Sequence, residues 1–522
     1  MKGREGENGQ LCWYGIPYGA APTGESRWTA PQEPARWLTV RDCTSPAPAA
    51  YQYTTFPLGT EDCLTLDVYS SAEAKKRPVL VYLHGSAATG SSLELPGSEL
   101  VRDAGCVFVA LNYRLGLFGW NCLPALTSGS DAAGNFALLD IARALDWVKE
   151  NIHRFGGDAD NITLCGFSDG GRMAAALAGS PLFRERFQKA VAISGGLSLA
   201  DPDAAAQKLA ENFAPLAVED GRFADTASAA EWLLTPGADV REWLCGLEPA
   251  RIAALGKPAI LYADDVVLSR DARSAVPLLL LSSATEFSGF VRDDLRPASS
   301  AARAYAVKYG SALCRWSSTE AVARSAGRQC SGLAWPHRLR RSRQSDGYPG
   351  PRLLPRPAAG ALSSESSYSA CADLSSAGAQ ALSARLKQAL ASFMTSGSPG
   401  LGRLDAARPR RPPLRCRQRN GLHHPQLLPG YPGKYPRRHG RRHVPLRRRK
   451  GNGGAPLFFR SLLLTKQKRT SPIAFIGEVR SCFIQRLMPP TAFLISALFR
   501  YIAASASMNS SSAVMVRPAC MA

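Results

Sequence analysis

The sequence predicts an α/β protein whose central sheet is mostly parallel, with helices on both faces, followed by a C-terminal part that is largely disordered. Between residues 77 and 283, continuous apolar runs alternate with turn residues and amphipathic segments, as expected for parallel strands covered on both faces. Residues 1–312 hold 28 basic and 36 acidic side chains, whereas residues 313–522 hold 35 basic and 6 acidic ones. The later part also loses apolar periodicity, so most of it is not expected to fold.

Local patterns define each element of the predicted sheet region. The runs PVLVYLHG, CVFVALNYR, NITLCGFS, KAVAISGG and VPLLLLSS are predicted to be buried strands. Residues 201–263 are mostly helical in composition and are predicted to form an insertion beside the sheet. In NFALLDIARALDWVKENI, one apolar stripe with helical spacing comprises Leu138, Ile141, Leu145 and Val148.

One amphipathic helix is predicted in the later part of the chain. In LSARLKQALASFMTSGSPG, Gly397 follows the helix as a C-cap, and the apolar face comprises Leu382, Leu386, Ala389 and Phe393. The chain is therefore expected to have four parts: a core over 1–312, an atypical Arg-, Pro- and Ser-rich segment over 313–371, this helix within 372–403, and a basic low-complexity tail over 404–522.

Bulk properties exclude several classes of function. The net charge of +21 is concentrated in the tail, where no aromatic interleaving accompanies the run RRHGRRHVPLRRRK, so we expect no specific nucleic-acid partner. Attachment of this run to phosphates or an acidic membrane stays an alternative. The 13 cysteines have no metal-like spacing, which predicts buried thiols and argues against a metal site and a disulfide scaffold.

Two further absences bear on location. The apolar stretch 488–503 is interrupted by Arg500 and is too short to span a membrane, so no transmembrane span is predicted. The N-terminal MKGREGENGQ has no apolar signal region, which predicts a cytoplasmic protein. The oligomeric state is left open by the sequence.

A G-x-S-x-G pentapeptide, residues 166–170, lies between a predicted strand and a predicted helix. In such a turn the glycines allow a sharp change of direction, and the serine is exposed above the sheet as a nucleophile. Ser168 is therefore the candidate nucleophile, and the backbone N–H of Asp169 is one candidate oxyanion donor. An earlier strand leads into HGSA, which places the backbone N–H groups of Ser86 and Ala87 as the further donors.

Several segments occur in the order found in the type-B carboxylesterases, the cholinesterase-like branch of the α/β-hydrolases. WYGIPYGAAPTGESRWTAPQ resembles that family's early G-I-P-Y segment, EDCLTLDVYS its E-D-C-L-x-L-N-V, and NYRLGLFGW its N-Y-R-L-G segment. The resemblance covers about residues 12–312 and implies an α/β-hydrolase fold. It also implies hydrolysis of a small-molecule carboxylic ester through an acyl-enzyme, without a cofactor.

The resemblance also implies an acid and a base for the triad. The acid would be Glu286, in ATEF directly after the run VPLLLLSS, with the role of orienting the histidine. The family's base lies in G-x-x-H upstream of its terminal helix, but the corresponding segment here, AGALSSESSYS, has Ser363 at that position. His337 alone lies between Glu286 and the helix. The family commonly has Ala at the position of Asp169, whose carboxylate is expected to disfavour an oxyanion.

Because the triad histidine is missing, these departures predict an esterase with impaired activity, and they leave two other interpretations. The first is a catalytically inactive, hydrolase-like binding protein. The second is a pseudogene-type product, in which residues 313–371 and those after about 404 are translated in a shifted reading frame. The abrupt change in charge, the loss of periodicity and the isolated helix motivate the second hypothesis, which the nucleotide sequence would test.

Overall fold

The structure is a computed structural model that describes residues 1–6, 9–127, 134–283, 308–309, 330–335, 362 and 377–400. All of these residues belong to the first of two compact units of the chain. The expectations for the basic tail over 404–522 fall outside the described residues. So do those for most of the segment 313–371.

Nine strands form the main sheet. They are β1 (Arg4–Glu5), β2 (Gln10–Pro17), β5 (Thr65–Ser71), β6 (Arg77–Leu83), β7 (Val107–Leu111), β8 (Gly157–Phe167), β9 (Lys189–Ile193), β10 (Leu278–Ser283) and β11 (Cys330–Trp335). A separate hairpin-like pair consists of β3 (Gln52–Tyr53) and β4 (Pro57–Leu58). All five strands predicted from the apolar runs are present.

The spatial order of the main sheet is β1-β2-β5-β7-β6-β8-β9-β10-β11. The six strands from β7 to β11 are parallel, whereas β1, β2 and β5 are antiparallel to their neighbours. The prediction of a mostly parallel sheet is therefore confirmed. Strand β11 lies inside the segment that the sequence analysis did not expect to fold, so for residues 330–335 that expectation is wrong.

Helices of the described chain occupy the following ranges: α1 (Ser98–Ala104), α2 (Gly116–Gly119), α3 (Pro124–Thr127), α4 (Phe136–Asn151), α5 (Asp169–Leu177), α6 (Pro202–Glu219), α7 (Thr226–Leu233), α8 (Ala238–Gly246), α9 (Pro249–Ala254) and α10 (Ala377–Ser396). Helices α6 to α9 form the helical insertion predicted over residues 201–263. No helix of the described chain is both long and apolar enough to cross a membrane.

The two faces of the sheet are covered by different helices. Along β6, Val79 and Val81 belong to the core cluster that includes α4, α5 and α6, whereas Leu80 and Tyr82 belong to the cluster that includes α1 and α10. This alternation follows from the two-residue period of a strand. The predicted α4 stripe is fully buried, and so the prediction of helices on both faces is confirmed.

The late helix α10 packs against the sheet although it is distant in sequence from the strands it covers. Leu386, Leu390 and Phe393 are buried in the second cluster. Gly397, at φ 74°, ends the helix and donates its amide to the Phe393 carbonyl at 2.8 Å, as predicted for a C-cap. The helix begins five residues before the predicted segment.

Candidate active site

The candidate nucleophile lies at the junction of β8 and α5. Ser168 has φ 53° and ψ −117° and is partly exposed. A positive φ is costly for a residue with a β-carbon, and such backbone strain concentrates at functional sites. The Ser168 amide donates to the carbonyl of Ile193 at 2.9 Å, which fixes the turn to the end of β9.

Close backbone approach explains the two glycines that flank this turn. A β-carbon at Gly166 would overlap the carbonyl group of Gly170. A β-carbon at Gly170 would overlap the carbonyl oxygen of Leu83 and would lie 2.6 Å from that of His84. Neither glycine has a positive φ. The pentapeptide therefore needs glycine to bring strand, helix and the neighbouring loop together.

The candidate oxyanion loop follows β6, the parallel neighbour of β8, in which Leu83 pairs with Gly166. Ser86 has φ 58°, and its Oγ lies 3.0 Å from Thr89 Oγ1 and accepts the Thr89 amide at 3.1 Å. The Ala87 carbonyl accepts the amide of Gly116 at 2.7 Å. These hydrogen bonds hold the loop at the carboxyl end of the parallel strands.

A buried carboxylate supports the start of the same loop. Glu94 Oε1 accepts the Gly85 amide and the Tyr82 hydroxyl, both at 2.8 Å. Sequence reasoning missed this contact, because Glu94 lies nine residues after Gly85 in a stretch with no recognisable motif. The contact occupies the Gly85 amide, which is therefore not available to a ligand.

The side chain of Asp169 links the nucleophile turn to the oxyanion loop. Its Oδ2 accepts the backbone N–H of Ala87 at 3.1 Å, and its Oδ1 accepts from Arg172 at 3.0 Å. The structure thus brings the Ala87 amide and the Asp169 side chain together, whereas the prediction concerned the two backbone N–H groups. The connecting group is the carboxylate rather than a shared ligand. Arg172 was missed, although its spacing of three residues from Asp169 on a helix is a recognised ion-pair spacing.

Two histidines fall within the described residues. His84 is buried and stacks on Tyr113 with ring centroids 4.4 Å apart, and its Nδ1 lies 2.9 Å from the Gly85 carbonyl. Burial lowers the pKa of His84, so the ring is neutral near pH 7. His84 Nε2 is buried and meets no hydrogen-bond partner among the described groups.

The second histidine, His153, is exposed and precedes β8, whereas Ser168 follows the end of that strand. The strand has 11 residues, a length of about 35 Å. His153 therefore lies at the opposite edge of the sheet. His84 and His153 therefore occupy positions that suit structure better than base catalysis.

The predicted acid and the remaining candidates for the base lie outside the described residues. Glu286 follows β10, which ends at Ser283, and His337 follows β11, which ends at Trp335. Ser363 also lies outside, but its neighbour Leu362 is described and buried, and it lines a small apolar cavity together with Ile193 and Leu281. In the described ranges, no cluster of three or more His, Cys, Asp or Glu side chains could hold a metal ion.

The fold and this turn define an α/β-hydrolase: a mostly parallel sheet with helices on both faces and a strained serine between β8 and α5. A solved structure of PNB esterase is similar, with a TM-score of 0.57 and 26% identity over 77% of this chain and 90% of that one. Geobacillus stearothermophilus carboxylesterase EST55 shares the fold with a TM-score of 0.59, at 24% identity over 76% of this chain and 89% of that one.

Sequence comparisons show similarity to carboxylesterases over the N-terminal part of the chain. The model of the carboxylesterase family matches residues 2–233. Para-nitrobenzyl esterase of Bacillus subtilis is 39% identical over 228 residues, 41% of this chain and 46% of that protein. Carboxylesterase 3B of Mus musculus is 38% identical over 200 residues, 35% of this chain and 34% of that protein. The chain thus aligns with half or less of the length of these relatives, and its residues 2–233 match the carboxylesterase family.

Proposed function

We propose that this protein hydrolyses small-molecule carboxylic esters through an acyl-enzyme on Ser168. The observation that carries the proposal is the backbone of Ser168, a partly exposed, positive-φ serine at the end of β8 and beside the loop that contains Ala87. The carboxylesterase match over residues 2–233 supports the same chemistry.

In the proposed reaction, Ser168 Oγ forms a bond to the ester carbonyl carbon while the carbonyl π electrons move onto oxygen. Backbone N–H groups of Ser86, Ala87 and Asp169 are the proposed donors to that oxyanion. Collapse of the intermediate breaks the bond to the alcohol, which leaves with the proton that the Ser168 hydroxyl loses. Water then attacks the acyl-serine, releasing the carboxylic acid and restoring the hydroxyl.

The proposed acid is Glu286, but the proposed base position carries Ser363. A serine cannot accept the nucleophile's proton as a histidine does. Loss of the base in a serine triad lowers the rate by several orders of magnitude and leaves the contribution of the oxyanion hole and binding. We therefore propose that turnover is impaired unless His337 supplies the base.

A second candidate function is ligand binding without catalysis. Ser363 at the base position favours it, and so does the carboxylate of Asp169 on the Ala87 amide. The strained backbone of Ser168 argues the other way, because a binding protein gains nothing from holding a serine at positive φ.

Hydrolysis of short-chain p-nitrophenyl esters tests the proposed function. The full chain is compared with its Ser168→Ala variant and with Ser228→Ala, which removes an exposed hydroxyl on α7. The proposal expects slow release of p-nitrophenol that disappears in Ser168→Ala and persists in Ser228→Ala. Equal rates in all three proteins would favour the binding protein.

A further inference from the structure

The carboxylate of Asp169 lies on a backbone donor that the reaction would need. The donor is the Ala87 amide, in the loop after β6, at 3.1 Å from Oδ2. Asp169 directly follows the nucleophile in sequence. An anionic side chain therefore already occupies the hydrogen-bonding position at which an ester's developing oxyanion would be stabilised.

A second interaction holds this carboxylate in place. Arg172 donates to Asp169 Oδ1 at 3.0 Å, and the same guanidinium donates to the hydroxyl of Ser198 at 3.0 Å. The side chains of Arg172 and Asp169 are 15% and 30% exposed, respectively. Because both carboxylate oxygens are engaged and the pair is mostly shielded from water, rotation of Asp169 away from Ala87 would break charge-assisted contacts.

An ordinary structural role accounts for only part of this arrangement. An acidic residue in the first turn of a helix interacts favourably with the helix dipole, and an ion pair three residues apart supports the helix. Both effects apply to Asp169 and Arg172 on α5. Neither requires the contact to Ala87, which belongs to a loop on a different strand and connects two parts of the candidate site.

We propose that Asp169 is an internal ligand of the oxyanion hole that suppresses the reactivity of Ser168. This inference rests on the proposed function, since it assumes that Ser168 is the nucleophile. The carboxylate uses one donor, and its negative charge repels the negative oxygen that forms in the transition state. Removing the carboxylate frees the Ala87 amide and lowers the barrier to attack by Ser168.

Covalent labelling by a fluorophosphonate measures this reactivity without requiring turnover. In the reaction a bond forms between Ser168 Oγ and phosphorus, the P–F bond breaks, and the serine's proton leaves with fluoride. Labelling rates are compared for the full chain, Asp169→Ala, Asp169→Asn and Asp271→Ala, in which Asp271 is an exposed carboxylate. Because one oxyanion donor contributes about 100-fold or more to the rate in serine hydrolases, we expect Asp169→Ala to label at least about tenfold faster.

The neutral Asp169→Asn variant keeps the shape of the side chain and tests the charge if Asp169→Ala does not fold. It is expected to label faster than the unchanged protein but more slowly than Asp169→Ala, and Asp271→Ala is expected to match the unchanged protein. Equal labelling of Ser168 in the unchanged protein and both Asp169 variants overturns the inference and leaves the proposed function standing. Failure of every variant to label at Ser168 overturns both.

Discussion

Leu83 on β6 pairs with Gly166 on β8, and this register places the carbonyl oxygen of Leu83 directly against Gly170. The two strands are parallel, so the loop after one and the turn after the other meet at the same edge of the sheet. The chain leaves β6 toward β7 on one side and forms β8 on the other. In α/β proteins a crevice for ligands forms at the carboxyl ends of two neighbouring strands whose connections run to opposite sides. Here Ala87 and Ser168 both lie at that position.

Replacing Gly170 with alanine should destabilise the protein strongly. The new β-carbon would overlap the Leu83 carbonyl and crowd that of His84, and both are backbone groups that cannot move independently of β6. We expect a loss of more than about 2 kcal/mol in the free energy of unfolding, measured by urea denaturation. Gly246→Ala is the control, because nothing lies near a β-carbon there. Similar unfolding midpoints for both variants would contradict the packing described.

Asp67→Asn should stabilise the protein at neutral pH. Asp67 lies on β5 and is 1% exposed. Burial raises its pKa to about 6, against the opposing hydrogen bonds of Ser92 and the Gly15 amide. The carboxylesterase pattern E-D-C-L-x-L-N-V has asparagine at this position. An amide fits the same site without a charge, so the substitution removes the cost of ionising a buried group.

The pH dependence of this effect has a definite sign. The folded protein holds the Asp67 proton to higher pH than the unfolded chain, so the aspartate weakens folding as pH rises from about 4 to about 6. Above pH 6 the cost approaches about 3 kcal/mol. Urea denaturation should show Asp67→Asn more stable than the unchanged protein at pH 7.5 and equal to it near pH 4. Asp62→Asn replaces an exposed carboxylate nearby in sequence and should change the free energy of unfolding little at either pH. An equal gain in stability in that variant would refute the assignment of the effect to Asp67.

Lys387→Met should weaken the docking of α10. Lys387 is 5% exposed, and its Nζ lies 2.5 Å from Glu99 Oε2 and 2.6 Å from Asp103 Oδ2, both on α1. Without the ammonium, two carboxylates face an apolar group. We expect a loss of about 2–4 kcal/mol in the free energy of unfolding. This loss lies below the upper range for a broken buried ion pair because Asp103 is partly exposed.

The exposed pair of Lys208 and Glu211 on α6 provides the matched control. Lys208→Met should cost no more than about 0.5 kcal/mol in the same urea titration. If Lys387→Met lowers the free energy of unfolding as little as Lys208→Met does, the docking of α10 does not depend on this contact. That outcome would weaken the view that α10 is the terminal helix of the hydrolase domain.

Ser363→His should raise esterase activity. By the family resemblance, Ser363 stands where the base belongs, and its neighbour Leu362 packs beside Ile193, whose carbonyl accepts the Ser168 amide. A correctly placed base contributes about 100-fold or more. We therefore expect at least a tenfold gain in p-nitrophenyl ester hydrolysis that is lost in the double variant with Ser168→Ala. Ser364→His is the control, and no gain over it would show that the family register does not extend to this segment.

Much of the site's framework could be predicted from local patterns. The position of Ser168 between a strand and a helix is predictable from the apolar runs, the glycines at 166 and 170 and the helical stripe of α4. Each of these signals depends on neighbouring residues alone. The placement of Ser86 and Ala87 after an earlier strand follows from the same kind of pattern. The helical face of α10 and its C-cap at Gly397 were likewise predictable.

Contacts between distant segments could not be predicted in this way. The bond from Ala87 to Asp169 depends on the register of β6 against β8, which only the assembled sheet fixes. Strand β11 lies in a basic, aperiodic context and gains its order from pairing along β10. In the sequence Lys387 is an ordinary polar position, and its ion pairs depend on the packing of α10 against α1. The roles of Glu286 and His337 stay predictions.

Mapping of a covalent adduct tests the central claim most directly. The full chain is treated with a fluorophosphonate, digested and examined by mass spectrometry, beside Ser168→Ala. The account predicts one modified site, on Ser168, and no modification of the variant under the same conditions. An adduct that persists in Ser168→Ala, or an unmodified Ser168 after prolonged treatment of the folded protein, would contradict the claim that this serine is a nucleophile.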